Sequence, residues 1–481
     1  MRHPVAGLRR LVGRRDNAID LVRAGTEDSR AMRMIHVLAL VIPALSWAEM
    51  ARADDAPPAA PATTANPTAE KLTLPQVVRI ALENNERAKK ARLRVEQAAG
   101  SVDKARTAFY PSLTAGGNAS YNPVEDRSGR NWTTAGTLAL SQPLLTPSAF
   151  PQYSQASHTL ESERWGSVQD RRVVAFDTAR AYFQCLANEK VFEAAVRRLG
   201  RAKENLANAE ARAGAGLASI NDATRATLDL SSAATSVAQA EGRLATSYQA
   251  LSFLIAKRVP PPATGDPSPL SGSDSTTSSA GQFDTRADDQ IKAALERRPD
   301  LRSTHERTEA LRQSAKEPYY RMIPSLGASA QVRVNPDPLA TEQGATETIT
   351  LNLSWQIFDT GQRYADLRTR RAQLSSQELD EALQRRTVDN DIRSALISLR
   401  AAREQYRIAD EAIQVAQRGV EETQILYKQG LAKALELTDS VQRAFDAEVT
   451  RASAKLTMEQ AYLELRFALG LGPIDDTEPA K

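Results

Sequence analysis

Few side chains in this sequence could carry out nucleophilic, acid–base or redox chemistry. The 481 residues include a single cysteine, Cys185, and four histidines, of which only His158 and His305 lie beyond residue 53. One cysteine cannot form an internal disulfide or a cysteine-based metal site. Two histidines are too few for a histidine-rich metal centre or a catalytic set built on Ser, His and Asp. We therefore expect no catalytic residue, no metal, no cofactor and no enzyme activity.

Two local features resemble chemical sites. Gly214-Ala215-Gly216 begins like a dinucleotide-binding loop, but no strand precedes it and the third glycine is missing. Cys185 precedes Phe192 by one heptad, which favours a small buried hydrophobic residue over a reactive thiol.

The dominant feature of the chain is an internal repeat at an offset of 213 residues. Ala81-Leu82-Glu83 matches Ala294-Leu295-Glu296, Pro111-Ser112-Leu113 matches Pro324-Ser325-Leu326, and Gly216-Leu217-Ala218 matches Gly430-Leu431-Ala432 after a one-residue slip. Repeats of this length indicate a duplicated structural unit.

Composition favours long helices over several compact cores. Hydrophobic residues make up 41% of the chain and aromatic residues 5%, and the Ala-rich, charge-rich segments suit helices packed side by side. The net charge of +3 comes from the first 53 residues, which hold nine Arg against five Asp or Glu, so the chain from Asp54 carries −1. No basic stripe with interleaved aromatic residues indicates nucleic-acid binding.

Residues 1–53 resemble an extension followed by an export signal. Arg30 and Arg33 precede a short apolar run over 35–45, and Ala51-Arg52-Ala53 supplies small residues at a cleavage site. The alternative is a buried core helix, which Pro43 would interrupt. We predict cleavage after Ala53, initiation at Met32 or Met34, and no lipid attachment, because no cysteine follows the site.

Two Pro-rich segments divide the remaining chain. The first is predicted to be a disordered linker at 54–70, and the second a flexible strap at 259–283. This division leaves a first repeat at 71–258, a second repeat at 284–470 and a tail at 471–481.

Each repeat contains a predicted strand pair. Apolar residues alternate with polar ones over 348–357 and over 326–334, with weaker versions at 113–124 and 132–145. Strands of about ten residues with one apolar face are typical of outer-membrane barrels. A soluble sandwich is the alternative. Four strands cannot close a barrel alone, so a membrane sheet would require several chains to satisfy its edges.

Heptads predict long coiled helices. Large residues at Ile392, Leu399, Tyr406, Ile413, Val420 and Tyr427 are each seven apart, and alanines follow three residues after the first four. The first repeat copies this with Phe192, Leu199 and Leu206. Such spacing gives left-handed coiled-coil packing. A helix from Gly361 to Gly430 would be roughly 100 Å long.

These motifs together resemble the TolC-type outer-membrane efflux proteins. The resemblance rests on 81–85, on Phe109-Tyr110-Pro111-Ser112-Leu113, on 353–361, and on Tyr427-Lys428-Gln429-Gly430 with 435–437. It implies an α+β membrane protein built from two tandem repeats. Three chains would give four strands each to a twelve-stranded β-barrel, which a long α-helical periplasmic barrel continues.

The resemblance implies the outer-membrane channel of a tripartite efflux or type I secretion system in a Gram-negative cell envelope. Its partners would be two further copies, outer-membrane lipid, a periplasmic adaptor and, through it, an inner-membrane pump of RND or ABC type. The alternative is a periplasmic coiled-coil adaptor or a structural protein of an envelope transport complex. An adaptor would not explain the strand pairs.

The resemblance also assigns two groups of site residues. The adaptor would dock on the helix turns, at Gly216, Leu217, Ala218, Gly430, Leu431 and Ala432. A periplasmic aperture, held shut by polar links between neighbouring helices, would involve Asp222, Tyr427, Glu436 and Asp439. Ala432 stands where the family has an arginine that takes part in such a link, and Lys433 beside it would be the substitute. A ring of carboxylates would favour cations. A solvated helix face is the alternative for these carboxylates.

Aromatic residues near strand ends, above all Trp132 and Trp355, are predicted to lie at the membrane interface. Core packing is the alternative for Phe109, Tyr110, Tyr319 and Tyr320.

Overall fold

The structure is a computed structural model that describes residues 71–474 except 122, 124–130, 217–218, 263–267, 272–286 and 337–343. The predicted export signal, the linker at 54–70 and most of the tail lie outside these described residues.

Each half of the chain has the same order of elements, as the repeat predicts. The first half contains α1 (Leu74–Asn84), α2 (Glu86–Arg106), β1 (Ser112–Tyr121), β2 (Trp132–Leu145), α3 (Ala149–Gly214) and α4 (Ile220–Ile255). The second half contains α5 (Ala287–Arg297), α6 (Pro299–Ser314), α7 (Glu317–Tyr320), β3 (Ser325–Val334), β4 (Ala345–Ser354), α8 (Gln362–Lys428) and α9 (Ala434–Ala468). A single turn of 3₁₀ helix, Thr107–Phe109, precedes β1 as α7 precedes β3.

The helical segment before each strand pair is broken at one residue. Asn85 has an extended backbone, and its side chain accepts a hydrogen bond from the Arg87 N–H at 2.9 Å, which caps α2. Arg298 is extended in the second half because Pro299 follows it and disfavours the helical conformation. Each break thus ends one helix and starts the next, through a side-chain cap at Asn85 and through Pro299 after Arg298.

The strands form one antiparallel sheet in the order β1-β2-β3-β4. Ser112 pairs with Ser141 in the first hairpin, and Ser325 pairs with Ser354 in the second, so the two registers are identical at the 213-residue offset. Leu138, Leu140, Ile349, Leu351 and Leu353 are exposed on one face. A sheet with an exposed apolar face requires a cover, which water cannot provide.

One predicted strand boundary is wrong for the single chain. The alternation predicts a strand through Ile357, yet β4 ends at Ser354 and residues 355–359 have no regular structure. In the first hairpin, β2 runs on to Leu145, the equivalent of Phe358, because β3 pairs with it there. Beyond Ser354, no described strand takes the corresponding place beside β4.

The long helices follow the predicted heptads. α3 and α8 are continuous over 66 and 67 residues, which corresponds to roughly 100 Å each. Ile392, Leu399 and Val420 are buried on α8, and Phe192 is buried on α3. The alanines three residues further on are also buried, at Ala195, Ala202, Ala209, Ala395, Ala402 and Ala409. Small residues at these positions let neighbouring backbones approach closely. Cys185 is fully buried, and burial raises the pKa of its thiol to about 12.

A flexible strap is predicted at 259–283, of which the structure describes residues 259–262 and 268–271, and residues 268–271 are packed against the helices. Leu270 is buried in the core and forms a parallel bridge with Leu72. The Tyr182 hydroxyl donates hydrogen bonds to the Ser271 carbonyl at 2.5 Å and the Leu72 carbonyl at 3.1 Å. These contacts fix part of the inter-repeat segment against α3.

A buried carboxyl joins the same segment to the helices. Glu189 on α3 accepts hydrogen bonds from the Tyr248 hydroxyl and from the Ser268 hydroxyl, the latter at 2.9 Å. Desolvation raises the pKa of Glu189 above its usual range, and the two hydrogen bonds oppose this effect. The neutral form is therefore favoured in the folded chain relative to the unfolded one.

This carboxyl should make stability depend on pH. Because the folded pKa of Glu189 is raised, its contribution is complete below the unfolded pKa and is lost as pH rises through the folded pKa. We expect the urea midpoint to fall over that window in the wild type and to be flatter in E189Q. Urea unfolding of both proteins between acidic and neutral pH measures the difference. E204Q, at an exposed position further along α3, should keep the wild-type slope.

Two buried arginines donate hydrogen bonds to carbonyl groups at the C-terminal end of α9. Arg172 donates to the Phe467 and Leu471 carbonyls at 3.2 and 3.0 Å, and Arg298 donates to the Ala468 carbonyl at 3.3 Å. Burial lowers the pKa of Arg172 to about 10. Cations suit a helix C-terminus, where carbonyl groups lack intrahelical partners. Both repeats contribute to this joint, so it connects α3, α6 and α9.

Candidate functional site

The two helix turns predicted for adaptor docking lie side by side. Gly216 follows α3 with φ +72°, and Gly430 follows α8 with φ +76°. Glycine is favoured after a helix because this left-handed conformation has no steric penalty without a Cβ. A Cβ placed on Gly430 would lie 3.7 Å from Nη2 of Arg212, at the end of α3. The structure thus brings the ends of the two long hairpins together at one tip.

The predicted docking residues differ in exposure. Leu431 is 74% exposed, and Gly216 and Gly430 are open to solvent. Ala432 is half-buried against the α8–α9 cluster, so it supports the turn more than it presents a surface. Leu217 and Ala218 lie outside the described residues.

Arg212 joins the two hairpins and was not among the residues predicted from sequence. Its Nη1 donates to the Tyr427 carbonyl at 2.8 Å, and its guanidinium carbon lies 4.8 Å from the centre of the Tyr427 ring. A charged hydrogen bond and a cation–π contact therefore act on one residue of α8. Its position in the last turn of a long helix, where a cation is favoured, was the available signal.

Lys433, predicted as a substitute for the family arginine, lies at the start of α9. Lys433 is exposed at the N-cap of α9, and it makes no ion pair with any described residue. The Tyr427 hydroxyl likewise makes no hydrogen bond within the described part of the chain; its ring and carbonyl make the contacts. Arg212, and not Lys433, thus contacts Tyr427 in the single chain.

Three predicted aperture residues line one groove beside the tip. This groove of about 530 Å³ lies between α4 and α9, and Asp222, Tyr427 and Asp439 are among its lining residues. Glu436 is exposed in the first turn of α9 and does not line the groove. Asp439 forms an exposed ion pair with Arg443 at 2.8 Å, which offsets part of its charge.

A buried polar cluster closes the base of the groove. Arg198 on α3 pairs with Asp229 on α4 at 3.2 Å, with 6% and 9% of the two side chains exposed. It also donates to Ser236 and Ser232 at 2.9 and 3.2 Å, and it lies 5.3 Å from the ring of Phe445 on α9. Arg198 therefore ties three helices together. The spacing of Asp229, Ser232 and Ser236 on one face of α4 is the sequence signal that would have indicated it.

Both tryptophans predicted at the interface lie at sheet ends. Trp132 begins β2 and packs on Tyr121 with ring centres 5.1 Å apart. Trp355 follows β4 at the opposite end and donates its indole N–H to the Met322 carbonyl at 3.0 Å. Gln142 donates to the Phe109 carbonyl in the equivalent place of the first repeat, at 3.2 Å.

The described residues contain no cluster of His, Cys, Asp or Glu arranged to bind a metal ion. His158 contacts Glu306 at 2.8 Å, and His305 contacts Glu381 at 3.2 Å, as separate pairs. Within the same residues, no helix has the length and apolar character needed to cross a bilayer.

Comparison with known proteins places both repeats in one family. The family model for outer membrane efflux proteins matches residues 77–257 and 290–471. No curated protein sequence matches the chain.

Solved structures with the same fold include three outer-membrane proteins. The chain is similar to the CmeC channel of Campylobacter jejuni, with 20% identity, a TM-score of 0.71, and 84% of this chain and 87% of that chain covered. It is similar to the open state of the MtrE channel of Neisseria gonorrhoeae, with 20% identity, a TM-score of 0.69, and 84% and 90% covered. It is also similar to VceC of Vibrio cholerae, with 17% identity, a TM-score of 0.67, and 83% and 96% covered. Because one family model covers both halves, the chain belongs to the outer membrane efflux protein family.

Proposed function

We propose that three copies of this outer-membrane efflux channel protein assemble around one axis. Their sheets would close a barrel in the outer membrane, and their long helices would form a tunnel through the periplasm. The observation that carries the proposal is the four-stranded sheet, which has an exposed apolar face and two unpaired edges. Closing the sheet with further copies covers every edge, whereas an open edge in lipid costs several kcal/mol per unsatisfied group.

The tip at Gly216 and Gly430 is our candidate for the adaptor-binding surface. An adaptor would join the trimer to an inner-membrane pump that supplies the energy, so the channel itself acts passively. Exposed Leu431 and the two open glycines support this assignment, because they leave room for another chain's helices to approach. The alternative of a periplasmic adaptor does not account for the sheet or the family match.

Export to the outer membrane would use the signal that precedes the described residues. We propose cleavage after Ala53 and no lipid on the mature N-terminus, from the sequence pattern alone. Mass spectrometry of protein purified from outer membranes gives the mature N-terminus directly.

Assembly and function can be tested in cells that lack the chromosomal copy. We expect the full-length protein to fractionate with the outer membrane, to migrate as a trimer without heating and as a monomer after heating, and to restore efflux of a fluorescent dye. A heat-insensitive monomer in the soluble periplasmic fraction would contradict the proposal.

The groove carboxylates should influence ion preference. If Asp222 and Asp439 line the passage in three copies, their charge favours cations. We expect D222N/D439N channels to lose much of the cation preference in bilayer recordings under a salt gradient, with smaller effects from E436Q, since Glu436 lies outside the groove. Unchanged reversal potentials for the double variant would mean that these carboxylates belong to a solvated outer face.

A further inference from the structure

The groove between α4 and α9 contains a polar layer that is open where the next layer along the helices is closed. α3 and α4 run antiparallel, so seven residues forward on α3 correspond to seven residues back on α4. Applied to the buried Arg198–Asp229 pair, this step leads to Asn205 and Asp222, and both line the groove. The two layers therefore share their helix geometry and differ in their side chains.

Asn205 is too short to close its layer as Arg198 closes the other. The Arg198 guanidinium crosses to α4, where it reaches Asp229 at 3.2 Å and Ser236 at 2.9 Å. Nδ2 of Asn205 is buried without a hydrogen-bond partner, and Asp222 makes no ion pair with any residue that the structure describes. A buried polar atom without a partner is unfavourable. The open layer therefore favours a partner from outside the chain.

Apolar side chains from all four long helices surround the open layer. The groove is lined by Ala209 of α3, Ala226 of α4, Tyr427 of α8, and Leu435 and Leu437 of α9. Its volume is about 530 Å³. Concave sites of this size, with apolar walls and a few polar groups, are typical of small-molecule binding.

The carboxylates of the groove differ in their partners, and this favours a cationic ligand. Asp229 is neutralised within its own layer, and Asp439 pairs with Arg443 at 2.8 Å. Asp222 keeps its charge without such a partner. Arg225 also lines the groove, but its side chain is exposed and forms no ion pair with Asp222, so water screens its charge.

We propose that this groove binds an amphipathic organic cation. An ammonium group of the ligand pairs with Asp222, a hydroxyl or carbonyl oxygen accepts a hydrogen bond from Nδ2 of Asn205, and an apolar ring system lies along Tyr427 and the leucines of α9. Such a ligand joins the α3–α4 hairpin to the α8–α9 hairpin. The site is built by one chain, so this inference goes beyond the proposed assembly and does not depend on it.

Propranolol is a suitable probe because it combines a naphthyl ring, a hydroxyl oxygen and a secondary ammonium group. Isothermal titration of the purified full-length protein in a non-ionic detergent should give saturable binding, with one molecule per chain. 1-Naphthoxyacetate keeps the ring system and carries a carboxylate in place of the ammonium group. It should bind at least about ten-fold more weakly, because a charged hydrogen bond is lost. Micelles without protein, titrated in parallel, give the partition of each compound.

Two substitutions in the open layer test the location of the site. N205R copies the closed layer, since its guanidinium can reach Asp222 and fill the space, and D222N removes the charge with little change in shape. Each should lower the affinity for propranolol at least about ten-fold. N208R makes the same substitution one turn away, at an exposed position outside the groove, and E210Q removes an exposed carboxylate nearby. Both controls should bind as the wild type does.

Three results would overturn the inference: no saturable binding of propranolol to the wild type, equal affinity for 1-naphthoxyacetate, or N205R and D222N that bind as well as their controls. If N205R does not fold, D222N and the comparison of the two compounds still decide the question. A wild-type protein that binds propranolol at this site but remains a monomer would support the groove and contradict the proposed trimer.

Discussion

Replacing Gly430 by tryptophan is expected to abolish export while the assembled channel remains in the outer membrane. Gly430 has φ +76°, and apart from Arg212 at 3.7 Å the space around its missing Cβ is open. A tryptophan there would project outward into the proposed adaptor surface. A steric clash costing about 2 kcal/mol would weaken adaptor binding roughly 30-fold, and dye efflux should approach that of cells lacking the channel.

Replacing Gly430 by alanine distinguishes steric blocking of the adaptor from strain in the backbone of the turn. G430A and G430W carry the same left-handed conformation, which costs a non-glycine residue roughly 1–2 kcal/mol, but alanine leaves the surface open. We expect G430A to keep most of the export activity and both variants to give heat-modifiable trimers. Equal loss in both variants would show that strain at the turn, and not adaptor contact, accounts for the effect.

Replacing Arg212 by alanine is expected to raise the conductance of the isolated channel several-fold. Arg212 makes one charged hydrogen bond to the Tyr427 carbonyl and one cation–π contact with its ring. Such contacts contribute about 1.5–3 and about 0.5–2 kcal/mol, respectively, with the lower ends applying to this half-buried site. In the proposed trimer, all three copies of this Arg212–Tyr427 contact would be lost at one tip. The population of channels with an open tip should therefore rise.

Variants of Tyr427 and Arg212 distinguish the contacts involved. Y427F keeps the ring and the carbonyl and should behave as the wild type, whereas Y427A loses the ring. R212K keeps the charge but loses the planar guanidinium, so we expect intermediate conductance. Single-channel recordings in planar bilayers provide the measurement. Wild-type conductance in R212A would show that Arg212 does not help to hold the tip closed.

Sequence patterns located the repeated elements well, because their signals are local. Period-two alternation placed β2 at its observed limits, and the heptads identified the buried seam of α8. The end of β4 was wrong because strand length depends on a partner strand, and that partner is absent from the single chain. A periodic pattern shows that a segment can form a strand, whereas pairing with a neighbouring strand decides whether it does.

The candidate site was predictable only in part, because some of its contacts join residues of the first repeat to residues of the second. Gly216 and Gly430 could be found from the repeat itself, and both have the expected positive φ. The sequence carried a local signal for Arg212 and for Arg198, but it did not identify their partners, which lie 215 and 31 residues away, respectively. The inter-repeat segment was misjudged for a similar reason: its Pro/Ser/Thr composition does not reveal that Leu270 fills the core.

The central claim is that three chains build one continuous passage, and an electron cryomicroscopy reconstruction of the protein in lipid nanodiscs tests it most directly. The account predicts three-fold symmetry, one barrel in the bilayer that β1 and β4 of neighbouring chains close, and long helices converging at Gly216 and Gly430. Any other stoichiometry, or isolated chains with β1 and β4 unpaired, would contradict it.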